Sequence, residues 1–288
     1  MVYLQTFQLP TREQEENFFF GFHRTCYTNF YPFGVFRTRP LPPLTFEPVT
    51  ILYGGNGSGK STVLNVIAAS LGIAHRSAYN RSSFFADYLG LCCHTMAPRC
   101  SAGVLENSRI LTSDDVFDYL LDMRCLNEKI DRKRDELLAE YTQLKYAKFR
   151  MRSLDDYDAM KRHAAAGRSS GSGFVKQNLM ENTPLQSNGQ SALAFFTQAI
   201  RENALYLLDE PENSLSVTGQ QELQEFLWQS ARFFGCQFII ATHSPLLLAM
   251  PQAKIYDLDA QPIRSRKWTE LENVRAYREF FQLHEAEF

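Results

Sequence analysis

The run Gly54-Gly55-Asn56-Gly57-Ser58-Gly59-Lys60-Ser61 constrains the fold more than any other feature of the chain. It satisfies G-x-x-x-x-G-K-[ST] in full, and the segments on either side of it fit the pattern. Upstream, Val49-Thr50-Ile51-Leu52-Tyr53 is β-branched and apolar without alternation, as in a strand covered on both faces. Downstream, Val63, Leu64, Val66, Ile67 and Leu71 recur at helical spacing. Between such a strand and helix, glycines let the backbone wrap tightly enough for successive N–H groups to point inward, and the helix N-terminus adds partial positive charge. That is a cradle for phosphate. It makes Gly54, Gly55, Asn56, Gly57, Ser58, Gly59, Lys60, Ser61 and Thr62 the candidate nucleotide contacts, with Lys60 reaching the β- and γ-phosphates and the Ser61 hydroxyl coordinating Mg²⁺.

Further strands are expected at 44–46, 108–112, 204–208 and 237–241, and helices from about Gly189 through Ile200 and from about Gly219 to Phe234. Strands alternating with helices after a phosphate loop predict an α/β domain with a substantially parallel sheet. Two of these strands end in chemistry. The apolar run from Ala204 delivers Asp209 and Glu210, where Asp209 suits the metal and Glu210 the polarisation of an attacking water. The run Ile239-Ile240-Ala241 ends in Thr242-His243-Ser244-Pro245, which makes His243 a candidate γ-phosphate contact. Between these elements, Ser187-Asn188-Gly189-Gln190 opens a helix, where a serine hydroxyl and glycine amides can hold phosphate oxygens.

The 30 basic and 32 acidic side chains of the 288-residue chain leave a formal charge of −2, which is no global footprint for nucleic acid. No run is apolar for long enough to cross a membrane and no secretory signal is evident, so the expectation is a cytoplasmic protein. Cys92, Cys93, His94 and Cys100 lie close together, but their spacing fits no zinc pattern, and whether they bind a metal stays open. The first forty residues, rich in aromatics, read as a strand-and-loop layer on the domain, and 167–173 as a flexible Ser/Gly-rich break. From Val116 to about Ala166 the chain reads as helical, beginning at the cap-like Ser113-Asp114-Asp115. Residues 124–168 hold twelve basic and eight acidic side chains, a pattern that a solvated helix face also gives.

The order of phosphate loop, Ser-x-Gly-Gln turn, acidic pair and histidine resembles the head of ABC-class ATPases. The compact form is similar to chromosome-maintenance and recombination-repair ATPases, and Tyr53 to Thr62, the Ser187–Gln190 turn and 239–258 look most like a family of small predicted bacterial AAA/ABC-type ATPases. The resemblance implies one phosphate-loop domain over 1–288, an ABC head with a mixed or parallel sheet, with a helical insertion and signature-bearing subdomain at 115–180. It implies ATP and Mg²⁺ as cofactors, and a homodimer sandwiching ATP in which Ser187, Gly189 and Gln190 of one copy cover the nucleotide of the other. It implies ATP hydrolysis with Glu210 and His243 as catalytic residues, Ser61 and Asp209 on the metal, and the insertion driving or switching a protein or DNA partner. A transporter's nucleotide-binding subunit and a non-hydrolysing regulatory module are the alternatives. Three departures from the class stand out: Gln186 and Asn188 replace its usual leucine and glycine, Ser216 stands where an aspartate often closes the turn, and no glutamine follows the 108–112 strand. Ser113 and Asp114 are the candidates for that glutamine's place.

Overall fold

The computed structural model describes residues 1–22, 26–98, 102–148, 150, 153, 156–182 and 188–288. The strands are β1 (Leu4–Gln8), β2 (Leu44–Thr45), β3 (Val49–Tyr53), β4 (Cys93–Met96), β5 (Arg109–Thr112), β6 (Leu205–Asp209), β7 (Gln237–Thr242), β8 (Lys254–Asp257) and β9 (Arg264–Ser265). The helices are α1 (Arg12–Phe20), α2 (Lys60–Ser70), α3 (Phe85–Leu91), α4 (Ala102–Asn107), α5 (Ser113–Tyr146), α6 (Tyr157–Arg168), α7 (Gly171–Asn178), α8 (Asn188–Ala199), α9 (Val217–Phe233), α10 (Pro245–Leu248) and α11 (Glu272–Leu283). The chain divides into two compact units, Met1–Val116 with Ser187–Phe288, and Phe117–Gln186.

In the first unit a six-stranded sheet runs in the order β5-β6-β7-β3-β8-β9. The five strands β5 to β8 in that order pair in parallel and β9 is antiparallel, so the sheet is mixed with a parallel centre. Every residue of β3 and β7 is buried, as their unbroken apolar runs require. In α2 the side chains of Val63, Leu64, Val66 and Ile67 are wholly buried, in one cluster with Leu207 and Ile239 of the main sheet and the aromatics Phe33, Phe36 and Phe85. A helix covered on most sides has no polar face to spare, which is why its apolar residues outnumber a simple stripe.

The aromatic N-terminal layer is more than strand and loop. Strand β1 pairs antiparallel with β2 and β4 in a separate three-stranded sheet, and 12–20 is helical. Thr11 accepts from the Gln14 amide while the Gln14 side chain accepts from the Thr11 amide, a reciprocal cap that starts α1. The small sheet is fastened to the large one by Gln237, wholly buried at the start of β7. Its Oε1 accepts from the amides of Tyr3 (2.7 Å) and Leu4 (2.9 Å), and its Nε2 donates to the Leu4 carbonyl at 2.9 Å.

The second unit is helical. Leu137, Ala166, Phe174 and Val175 are its buried core, and Tyr141 donates to the Ser169 carbonyl at 3.1 Å. Its charges are partly spent within the unit, Lys133 on Glu136 and Arg162 on Glu140. The expected flexible break at 167–173 is corrected to two residues, Ser169 and Ser170, between α6 and α7. Ser170 caps α7 by accepting from the Gly173 amide, and burial of Phe174 and Val175 offsets the glycines' entropy cost. No helix among the described residues is long and apolar enough to cross a membrane.

Candidate nucleotide site

The carboxyl ends of β3, β6 and β7 lie side by side, since Tyr53 pairs with Thr242 and Asp209 with Ala241. The glycine loop leaves β3, the acidic pair ends β6 and His243 follows β7, so three stretches remote in sequence meet on one sheet edge. The loop turns through Gly57 at φ +78° and Gly59 at φ +93°, where only glycine is free of strain. Phe36 closes over Gly59 so tightly that an added Cβ would lie 2.6 Å from its ring. A cavity of about 440 Å³ is lined by Val35, the loop and Glu210.

Lys60 is buried and its ammonium donates to the carbonyls of Gly54 (2.7 Å) and Gly55 (3.1 Å), while lying 3.6 Å from Glu210 Oε1. On the other side, His243 Nδ1 is 3.8 Å from the same oxygen. Glu210 adopts a left-handed conformation, φ 46° and ψ 55°, held by its amide on the Ala241 carbonyl and by Asn213 Nδ2 on its Oε2 at 3.0 Å. A non-glycine residue kept there marks strain that its surroundings enforce. Ser61 Oγ donates to Asp209 Oδ1 at 3.1 Å, which puts the two candidate metal ligands together. Burial pushes the Asp209 carboxyl up to about 6, against the lowering effect of the Ser61 hydrogen bond; the Glu210 charge raises it further. A hydroxyl and a half-buried carboxylate are hard oxygen donors suited to Mg²⁺.

Residues not singled out in the sequence complete the site. Asp259 Oδ2 accepts from the Gly55 amide at 2.6 Å, with Arg39 3.6 Å from its other oxygen. Tyr31 donates to Thr62 Oγ1 at 3.0 Å. Buried Glu212 accepts at Oε1 from Thr242 Oγ1 (2.5 Å), from the His243 amide (3.0 Å) and from the Ser244 amide (3.3 Å). At the strand end where the glutamine is missing, Asp114 is exposed and the inward carboxylate is Asp115, which accepts from the Thr112 amide and hydroxyl. Thr112 itself pairs with Asp209 across the sheet.

Ser187 of the Ser-x-Gly-Gln turn and Gln186 just before it lie outside the described residues. Gly189 sits in the first turn of α8 with the 214–216 backbone close by, and Gln190 follows it, exposed. Ser216 caps α9 through the Gly219 amide, a task its hydroxyl performs as an aspartate would. Of the cysteine cluster, Cys100 is outside the described residues, burial pushes the Cys92 thiol up to about 12, and Cys93 is exposed. Among the described residues no group of three or more His, Cys, Asp or Glu is placed to hold a metal.

A family model described as "AAA domain, putative AbiEii toxin, Type IV TA system" matches residues 101–249, just over half of the chain. No curated protein matches. Among solved structures, the Smc head domain of Pyrococcus furiosus bound to the C-terminal domain of ScpA is 13% identical, with 97% of this chain and 100% of that chain covered and a TM-score of 0.45. CbiO1 of Clostridium perfringens, part of an ABC transporter complex, is 16% identical over 99% and 96% of the two chains, TM-score 0.44. A dimeric ATP-binding cassette bound to ADP and Pi is 13% identical over 93% and 99%, TM-score 0.38. The chain belongs to this AAA-domain family, and its fold is mixed α/β with the phosphate loop leaving a parallel strand of the six-stranded sheet.

Proposed function

We propose that the chain binds ATP with Mg²⁺ and hydrolyses it, as a cytoplasmic dimer of two copies with the nucleotides between them. The observation that carries this reading is the convergence on Glu210: its Oε1 lies 3.6 Å from Lys60 Nζ and 3.8 Å from His243 Nδ1, beside the Ser61–Asp209 pair. The amides of the 54–62 loop and of the α2 N-terminus hold the phosphates. Lys60 exchanges its loop carbonyls for β- and γ-phosphate oxygens. Glu210 takes the proton of the attacking water, and His243 meets the γ-phosphate. Ser61 and Asp209 hold the magnesium, which neutralises charge developing on the phosphates when bound. Ser187, Gly189 and Gln190 of one copy cover the nucleotide of the other, so ATP favours the dimer and hydrolysis releases it. The helical unit at 117–186 transmits that change to a protein or DNA partner.

The test is Glu210→Gln, which preserves shape and removes basicity. Turnover should fall by about 10²–10⁴-fold, the range general bases contribute, with ATP affinity retained and ATP-bound dimer accumulating. Wild-type phosphate release from this variant removes Glu210 from the role.

A further inference from the structure

Glu212 is a buried carboxylate next to the site, 5% exposed, and it lies outside the set that binds or polarises anything in the mechanism above. It sits in the turn Pro211–Ser214, immediately after the strained Glu210. One of its oxygens, Oε1, collects three donors from three consecutive residues: the Thr242 hydroxyl, the His243 amide and the Ser244 amide. The same oxygen lies 3.4 Å from His243 Nδ1. Among the described residues its second oxygen, Oε2, is buried without a hydrogen-bond partner.

Burying a carboxylate is costly, and a capped turn needs no charge: the amides and hydroxyl of 242–244 would be satisfied by a neutral acceptor. Other ties already hold this stretch, since Ser244 donates to Gln220 at 2.7 Å and Asn273 Nδ2 donates to the His243 carbonyl at 2.6 Å. What a neutral group in place of Glu212 would lack is negative charge next to His243 Nδ1. A carboxylate at one ring nitrogen selects the tautomer that carries its proton there and orients the ring. Glu210 Oε1 on the same nitrogen adds to that preference. The nitrogen left for a ligand is then Nε2, on a ring that is half exposed.

We propose that Glu212 is the positioning residue of this site: its buried carboxylate pins the 242–244 turn and holds the His243 proton on Nδ1, so that Nε2 meets the nucleotide. This rests on the reading of His243 as the γ-phosphate contact. It makes Glu210 and Glu212, two acids separated by Pro211, different in kind, one facing the reaction and one acting through the histidine.

The experiment uses the full chain with Glu212→Gln, His243→Ala and the double variant. Glu212→Gln should lower kcat by about 10–100-fold, the usual cost of losing a group that orients a ligating histidine, with KM for ATP unchanged within about threefold. In the His243→Ala background it should cost nothing further, because its effect passes through that ring. Additive losses in the double variant overturn the proposal, as does wild-type turnover in Glu212→Gln. Imidazole ¹⁵N shifts of His243 in the nucleotide-free protein give a readout that needs no hydrolysis. They should report Nδ1–H in the wild type and a mixed tautomer in Glu212→Gln. If His243→Ala hydrolyses ATP as well as wild type, the histidine's role in the function fails, and the shifts alone decide the Glu212 assignment: an unchanged tautomer in Glu212→Gln overturns it. Where the glutamine variant does not fold, Glu212→Asp keeps the charge and withdraws it by one methylene. That variant should retain the tautomer at reduced kcat, and full turnover in it overturns the proposal.

Discussion

Asp209 is held in a protonation balance that pH can tip. Burial raises its carboxyl from 3.8 to about 6 in the folded chain. An acid whose folded-state value lies above its unfolded one favours the fold while protonated. That contribution is complete below about pH 4 and is lost as pH rises through about 6. Asp209 should therefore contribute more to the Tm of the nucleotide-free protein at pH 5 than at pH 8. Asp209→Asn should raise Tm at pH 8 while leaving it nearly unchanged at pH 4, and should abolish any Mg²⁺-dependent gain in nucleotide affinity. Thermal unfolding of both proteins across pH 4–8 checks the sign, and a Tm difference independent of pH counts against it. Gly59 offers a second residue-scale test. A methyl there meets left-handed backbone at φ +93° and the Phe36 ring at 2.6 Å. Gly59→Ala should lose about 1–2 kcal/mol of stability from the backbone alone, and ATP binding with it, because the loop cannot keep its turn. ATP affinity measured by equilibrium binding reads the second effect.

At the scale of elements, periodicity and caps carried most of what was legible. Strands β3, β6 and β7 are unbroken apolar runs bounded by polar turns, and each lies where its pattern puts it. The long α5 starts at the Thr112–Asp115 pair, with both groups bonded to each other, as short polar residues before a helix signal. Helix α1 had an equally local signal in Thr11 and Gln14, masked by the aromatic run that follows. The Ser/Gly stretch at 167–173 misled for the opposite reason: its composition suits a linker, while Ser170 as a cap and two buried apolar residues make it helical. Ser170→Ala should cost about 0.5–2 kcal/mol in the unfolding of the 117–186 unit, the usual loss for a helix cap, with the nucleotide site unaffected. Hydrogen exchange of α7 amides beside α2 amides separates the two; equal loss of protection in both would mean that the cap does not act locally.

For the whole molecule the decisive issue is whether sites are completed by a second copy. Lys60→Ala removes a phosphate contact on the loop side, and Ser187→Arg puts bulk and charge on the opposing side. Each homodimer spoils both of its sites and should be inactive. In a mixed dimer one site takes both lesions and the other none, so equal mixing should restore roughly a quarter of wild-type phosphate release, given random pairing and independent sites. Mixed dimers that form and yet stay inactive would argue against sharing, and full activity of Ser187→Arg alone would remove Ser187 from the nucleotide.

The sequence by itself determined the phosphate loop, the acidic pair, the histidine and the α/β class. Each of these is written locally, in glycines at a strand–helix junction or in an apolar run that ends on a polar residue. Only the tertiary structure decided what surrounds them. That β7 lies between β3 and β6, that Asp259 from beyond β8 takes the Gly55 amide, and that Phe36 covers Gly59 are contacts across long stretches of chain with no periodic trace. The same holds for Glu212 and Gln237. Both are polar residues in ordinary-looking positions, and both become meaningful only once burial denies them water and turns Gln237 to the Tyr3 and Leu4 amides and Glu212 Oε1 to the 242–244 turn.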